Sequence, residues 1–488
     1  MDRGDFLYEQ LAAELGQAIE RGILRPGERL PSVRRLAEDR AISIATVVQA
    51  YVLLENDGLV EVRPKSGHFV RRRSEGVAEP RPPRCSPQPT RVSVSVSDAV
   101  ARLLAAMRDP SIIPLGSAHL LDQVLPVAAV NRIMSTLARE SRGAGARYDV
   151  PPGLITLRRQ LARRSIKWGL ALDEDDFVTT IGATEGLMLG LRAIAKPGDA
   201  VAVESPAYFG VLQAIEGLGM RAVEVPANPR TGIDLDELDA VLKAGGVRGV
   251  VVSPNVSNPL GAVMPDDAKL RLVRLAVRHD VPVIEDDVYG DLVFDGTRPR
   301  PLRAFDHDGR VLLVGSVSKT IAPGYRVGWI APGRYAETVE RLKFSSTLAN
   351  PTLTQMAIAE FLASGGYDRH LRRLRALLSG HVDKYRDAIA AAFPDGTRVS
   401  APRGGFVLWV ELPSGCDALA IQARALDHGI AIAPGPMFSP RNRFTNFLRI
   451  SCGSPMAPRI EGAIRTLGEI AADDAAGGDR RRRARASA

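Results

Sequence analysis

Residues 311–326 read Val-Leu-Leu-Val-Gly-Ser-Val-Ser-Lys-Thr-Ile-Ala-Pro-Gly-Tyr-Arg: four apolar residues run into a glycine, two serines and Lys319, with an arginine seven positions beyond the lysine. A short continuous apolar run suits a strand buried on both faces, and the polar residues that follow it then stand at its C-terminal end. The same arrangement recurs upstream. Pro282 to Ile284 is a second run, ending in Glu285-Asp286-Asp287-Val288-Tyr289. Gly249 to Ser253 is a third, ending in Pro254-Asn255-Val256-Ser257-Asn258-Pro259-Leu260-Gly261. Phe177 to Gly182 is a fourth, and it leads into Ala183-Thr184-Glu185-Gly186, which opens a helical pattern through Leu187, Leu189 and Leu191. Strand-like runs alternate with helical patterns, so the expected fold class is α/β with a mainly parallel central sheet. Open sheets of this kind bind ligands beyond the C-terminal ends of their strands, where this sequence gathers its polar residues. A helix that starts after a glycine also offers free N–H groups to a phosphate.

Taken singly, each polar residue has an ordinary alternative: a solvated lysine, a helix cap at Asp286-Asp287, a turn at Asn258-Pro259, a surface ion pair for the arginine of Phe447-Leu448-Arg449-Ile450-Ser451. Together, Asn-Pro-x-Gly, Asp-x-x-Tyr and Ser-x-Ser-Lys with its later arginine follow one another in the order and spacing of a family. An anion cradle, a carboxylate, a phenol, an amide and a lysine suit pyridoxal 5′-phosphate, and residues 98–470 resemble the fold-type I aminotransferases. The resemblance implies a smaller α+β subdomain beside the central sheet, and it assigns roles. Lys319 matches the Schiff-base lysine, whose amine must shed its proton to react with an aldehyde. Asp286 matches the carboxylate on the pyridine nitrogen, which keeps the ring an electron sink. Tyr289 and Asn258 match the partners of the ring's 3′-oxygen, and Tyr208 the aromatic stacked on the ring. Ala183, Thr184, Ser316, Ser318 and Arg326 match the phosphate cup. Arg449 matches the arginine that forks onto the α-carboxylate of an amino-acid ligand. Tyr148, in Tyr148-Asp149-Val150-Pro151-Pro152-Gly153, matches a tyrosine that reaches the phosphate of a neighbouring subunit, which implies a homodimer. Leu260 departs from the usual threonine, and Gly116-Ser117-Ala118-His119 follows the family's substrate-side loop only loosely.

The first 73 residues have another character. Leu7, Leu11, Leu15 and Ile19 recur at helical spacing until Arg25-Pro26-Gly27 breaks the pattern. Pro31-Ser32 starts a second short helix carrying Arg34. After a turn at Ala41-Ile42, Ser43 caps a third helix with Val47, Tyr51 and Leu54 on one side, ending at Asp57-Gly58. Leu59 to Arg63 and His68 to Val70 then alternate like strands around Pro64-Lys65-Ser66-Gly67. This order resembles the winged helix-turn-helix of GntR regulators, through Leu30-Pro31-Ser32-Val33-Arg34-Arg35-Leu36-Ala37, Thr46-Val47, Ala50-Tyr51 and Gly67-His68-Phe69-Val70. The resemblance implies contact with double-stranded operator DNA by Arg34, Ser43, Thr46, Arg63 and Lys65. Ile44-Ala45 departs from it, standing where many relatives carry a base-reading arginine.

Between the two regions, Val77 to Pro89 is proline-rich with little to bury, so residues 74–97 read as a linker. From Ala471 onward no periodic apolar face is visible, and residues 471–488 read as a disordered basic tail. Lys and Arg number 64 against 56 Asp and Glu, a net charge of +8, and half of that excess lies in residues 479–488. No apolar run approaches the ~20 residues of a membrane-spanning helix, and Met1 to Asp5 has no signal-peptide core, so a cytoplasmic location is expected. Cys85, Cys416 and Cys452 lie far apart, which predicts neither a disulfide framework nor a metal site. The whole chain resembles the MocR family, in which a GntR-like winged helix precedes an aminotransferase-like domain. That resemblance implies a regulator that senses an amino compound, or pyridoxal phosphate itself, at Lys319. The residues leave open the alternative of a working aminotransferase with a DNA-binding appendage, since no catalytic position is visibly lost.

Overall fold

The computed structural model describes residues 7–56, 59–63, 66–70, 77–82, 90–106, 108–141, 143–294 and 297–486. At the N-terminus stand helices α1 (Leu7–Glu20), α2 (Val33–Asp39) and α3 (Ile44–Asn56), then an antiparallel hairpin of β1 (Val60–Arg63) and β2 (Gly67–Val70). Local chemistry sets the helix starts. The Ser32 hydroxyl accepts the Arg35 N–H at 3.3 Å and the Ser43 hydroxyl accepts the Thr46 N–H at 3.0 Å, each satisfying a donor of the first turn. Between α2 and α3, Ala41 takes a left-handed backbone with φ 51° to make the turn. Leu11, Leu15, Leu36, Val47, Tyr51 and Leu54 bury their side chains in one core, closed by Val60 and Val70 of the hairpin.

The large region is built on a central sheet of β3 (Val92–Ser93), β4 (Val178–Thr180), β5 (Ala200–Ser205), β6 (Arg221–Asn228), β7 (Gly232–Ile233), β8 (Val247–Val252), β9 (Val283–Asp286), β10 (Val311–Ser316) and β11 (Gly328–Ala331). Its order is β3-β6-β5-β8-β9-β10-β11-β4, with β7 beside β6. Strands β6, β5, β8, β9 and β10 are parallel; β11 runs against both β10 and β4. Helices cover both faces. Val201, Val203, Val251, Ile284, Leu312 and Val314 point to the side of helices Ala183–Ile194 and Phe209–Gly217. Their neighbours Ala202, Val250, Val252, Val283 and Val311 point to the side of helices Leu235–Lys243 and Asp266–Arg278. Burial on both faces is what makes these strands continuous apolar runs in the sequence. A second, antiparallel sheet of Arg398–Val399, Val407–Glu411, Phe447–Ser451 and Ala433–Pro434 forms the smaller subdomain.

Two expected boundaries move. The segment read as a linker is in its described parts laid onto the large region: Ala78 accepts the Val399 N–H at 2.9 Å, Glu79 pairs with Arg230 at 2.9 Å, and β3 adds a strand to the sheet edge. Val94 and Val96 are buried just beyond it, so the alternation Val92-Ser-Val-Ser-Val96 was a strand signal in a stretch read by its upstream prolines. At the other end, the last helix is Pro458–Ala486 rather than a fold ending at Ile470. Ala471 is fully buried, and Asp474 accepts the Asp417 N–H at 2.7 Å, which holds the helix down beyond its last large apolar residue. Among the described residues no helix is long and apolar enough to cross a membrane.

Candidate functional site

Where the strands end, they leave a cavity of about 250 Å³, into which Arg449 of the smaller subdomain reaches. One wall is the turn from β4 into helix Ala183–Ile194. Gly182 makes it with φ 75° and ψ 172°, a region open essentially to glycine alone, and a Cβ there would sit 2.4 Å from Arg326 Nη2. No side chain caps that helix start, so the N–H groups of Ala183 and Thr184 face the cavity as a positive dipole end. Arg326 closes in from the opposite side, donating to the Ile181 carbonyl at 3.1 Å and the Pro323 carbonyl at 3.1 Å. The Ser316 and Ser318 hydroxyls lie 2.7 Å apart beside it, at the end of β10. Three kinds of anion-seeking group therefore converge on one corner: helix-start N–H groups, a guanidinium and two hydroxyls.

Deeper in, Asp286 ends β9 and Lys319 follows β10. Burial pushes the Asp286 carboxyl up to about 6, against the lowering effect of the Val288 N–H at 3.3 Å and of Lys319. Burial, with Arg449 and Arg326 nearby, pulls the Lys319 ammonium down to about 8, Asp286 opposing. Lys319 Nζ donates to the Ala118 carbonyl at 2.8 Å. Tyr208 and Tyr289 flank these groups, both phenols raised by burial. Tyr289 Oη is buried without a partner in hydrogen-bonding geometry. Arg449 reaches in from the smaller subdomain, fully buried between the Phe209 and Phe438 rings at 5.5 and 5.4 Å. It donates to the Gly116 carbonyl and, at 3.4 Å, to Asn258 Oδ1, while its Nε has no partner. Orphaned donors in a buried pocket are costly unless a ligand completes them.

The structure thus brings eleven sequence-designated residues to one cavity: Ala183, Thr184, Tyr208, Asn258, Asp286, Tyr289, Ser316, Ser318, Lys319, Arg326 and Arg449. Tyr148 is apart from it. Three-quarters exposed, it precedes a loop pinned to β4 by the Thr179 N–H on the Pro152 carbonyl at 2.9 Å. Sequence reasoning missed other lining residues: Leu103 and Leu104, from the helix Ser97–Ala106, and Phe209. His119 also lines the cavity, its imidazole drawn down to about 4 by burial with Lys319 and Arg449 close by, and its Nδ1 bonded to the Ser117 hydroxyl. Of these, Phe209 had a local signal in its place beside Tyr208, and His119 in the loosely matching loop Gly116-Ser117-Ala118-His119. In the N-terminal region Arg34 is exposed in the first turn of α2, and Ser43 and Thr46 form the start of α3. The Arg63 side chain and Lys65 lie outside the described residues.

Comparison with known proteins agrees with this geometry. The family model for aminotransferase class I and II matches residues 110–465, and that for the bacterial regulatory proteins of the gntR family matches residues 7–70. YjiR, an HTH-type transcriptional regulator of Escherichia coli strain K12, is 39% identical over 95% of this chain and 98% of its own. YdcR, another from the same strain, is 36% identical over 95% of this chain and 98% of its own. Among solved structures, the Pyrococcus horikoshii kynurenine aminotransferase superposes with a TM-score of 0.72 at 28% identity, over 77% of this chain and 94% of that one. LysN, the α-aminoadipate aminotransferase of Thermus thermophilus, solved with N-(5′-phosphopyridoxyl)-L-leucine, gives 0.71 at 27% identity, over 78% and 100%. The large region is accordingly of the pyridoxal-phosphate-dependent aminotransferase type, and the donors present fit that cofactor. The chain belongs to the MocR family of HTH-type transcriptional regulators, in which a GntR-type helix-turn-helix region is joined to an aminotransferase class I and II domain.

Proposed function

We propose that this protein is a transcriptional regulator whose affinity for operator DNA is set by what occupies Lys319. The observation that carries the reading is the placing, in one chain with a winged helix, of a half-buried lysine of lowered pKa among an anion cup, a carboxylate and a buried arginine. When bound, the cofactor supplies an aldehyde for which Lys319 and an incoming amine compete, and a ring that draws electrons. The chain's own part is to hold and discriminate. Arg326, Ser316, Ser318 and the N–H groups of Ala183 and Thr184 hold the phosphate. Asp286 would face the pyridine nitrogen, Tyr208 would cover the ring, and Tyr289 and Asn258 would hold its 3′-oxygen. Arg449 takes the ligand's carboxylate. Tyr148, exposed on its pinned loop, is suited to complete the cup of a second copy, and a two-fold dimer would present two winged helices to paired half-sites.

On the DNA side, Arg34, Ser43, Thr46 and the wing residues Arg63 and Lys65 supply chiefly phosphate contacts. Arg34→Ala should weaken binding on every duplex and reduce the salt slope by about one unit; an unchanged slope in a folded variant removes Arg34 from the interface. The direct test of the reading compares three forms of the full chain on duplex DNA from upstream of its own gene: with cofactor, stripped of it, and Lys319→Ala. Borohydride reduction with peptide mapping runs in parallel. The expected result is a pyridoxyl group on Lys319 and an affinity that differs several-fold between forms. Cofactor on another lysine, or binding that ignores all three states, contradicts it.

A further inference from the structure

Helix α3, Ile44–Asn56, is the element that a helix-turn-helix presents to base edges, and it carries no lysine or arginine. Its inner face is complete: Val47, Ala50, Tyr51 and Leu54 are buried. On the outer face Ile44 is 55% exposed, Val48 44% and Val52 43%, spaced four residues apart, with Ala45 and Gln49 exposed beside them. Three aliphatic side chains in a row on the solvent side add nothing to the fold, and such stripes mark contact surfaces. Charge on the adjoining surface points to the occupant. Arg34 and Arg35 are exposed in the first turn of α2, so basic side chains for phosphates stand on α2 and apolar ones on α3.

We propose that α3 selects its DNA by thymine methyl groups, through Ile44, Ala45 and Val48, with Gln49 placed to pair with an adjacent adenine. This rests on the DNA-binding reading above and names the ligand more narrowly. The chemistry of the major groove decides it. Guanine shows two acceptors and calls for a forked cationic donor; cytosine shows a donor and calls for a carboxylate. The exposed face of the first two turns of α3 has neither. Thymine shows a methyl group, which aliphatic side chains cover, and adenine shows an acceptor beside a donor, which a glutamine amide matches. The operator half-site is therefore read at T·A pairs under the start of α3, and its guanines go unread by this helix.

Full-length protein is used to enrich binding sequences from a randomised duplex pool, and the enriched duplex is remade with deoxyuridine for thymidine or 7-deazaguanine for guanine. Deoxyuridine removes only the methyl. Burying a group of that size is worth about fourfold in a binding constant, so each contacted thymine should show a loss of that order. The discrimination should vanish in Ile44→Ala or Val48→Ala, while Gln49→Ala relaxes the preference at the adenine. Because these side chains are exposed, the variants should keep the wild-type circular dichroism. Indifference to deoxyuridine combined with sensitivity to 7-deazaguanine overturns the proposal alone. So does an Ile44→Ala protein that changes its oligomeric state yet still discriminates thymine from uracil, which would assign the stripe to protein contact. A pool in which nothing is enriched overturns both this proposal and the regulator reading.

Discussion

Three lysines of the large region are buried or nearly so, and their surroundings separate them. Lys343 Nζ is held by Glu185 at 3.1 Å, Asn350 Oδ1 at 2.7 Å and Thr347 at 3.1 Å. Lys269 Nζ is held by Asn255 Oδ1 at 2.8 Å and the Arg300 carbonyl at 2.7 Å. Lys319 donates to a single carbonyl, at 2.8 Å, with Arg449 and Arg326 nearby, and is the one whose pKa falls to about 8. An amine is reactive when unprotonated, so lowering the pKa raises the reactive fraction at neutral pH. The rate at which cofactor-free protein captures pyridoxal phosphate should accordingly rise with pH through about 8 and level off above it. Stopped-flow absorbance across neutral and alkaline pH checks this; a rate still climbing near the ordinary lysine value of about 10.4 would contradict the assigned environment. At this scale the sequence was legible where strand ends line up chemistry, as at Asp286 and Lys319. Leu103 and Leu104 were not legible, because what brings them to the cavity is tertiary packing with no local pattern, while His119 was legible only as part of the loosely matching loop Gly116-Ser117-Ala118-His119.

Among the elements, the turn from β4 into helix Ala183–Ile194 is the most exacting. Its glycine is there for backbone and space at once, so Gly182→Ala should cost roughly 1–3 kcal/mol of stability from the backbone alone. The added methyl should also push Arg326 aside and lower phosphate affinity beyond what the stability loss explains. Denaturant midpoints and inorganic phosphate titration measure the two effects, and an unaltered phosphate affinity would remove Arg326 from the cup. In the winged helix, Ser43→Ala should cost about 1 kcal/mol by freeing the first-turn N–H of α3. The loss should appear in thermal melting of the full chain as an earlier N-terminal transition. Element identity was readable wherever a pattern matched its burial: two-sided apolar strands, capped helices, the hairpin. Strand β3 and the stretch of the final helix just past Ile470 escaped for opposite reasons. The first hid in proline-rich surroundings. The second is held by Ala471, Ala475 and the Asp474 carboxylate rather than by large apolar residues.

For the molecule as a whole, the revised linker matters most. Its described parts are tied to both the central sheet and the smaller subdomain, through Arg230, Val399 and Glu411. The chain that leads from the winged helix therefore rests on both the central sheet and the smaller subdomain, and under the proposed function a change in how these two close would reach it directly. Ligand-driven change of this kind requires different affinities for the two arrangements. A sensor needs exchange at Lys319 and gains nothing from fast turnover, whereas metabolic enzymes typically run at about 1–10³ per second. The most direct test screens amines and amino acids on one preparation, reading operator affinity and steady-state transamination together. At least one amine should shift operator affinity several-fold while turnover stays far below that range. Rapid turnover with DNA binding indifferent to every amine and cofactor state would contradict it and mark the protein as an aminotransferase with a DNA-binding appendage.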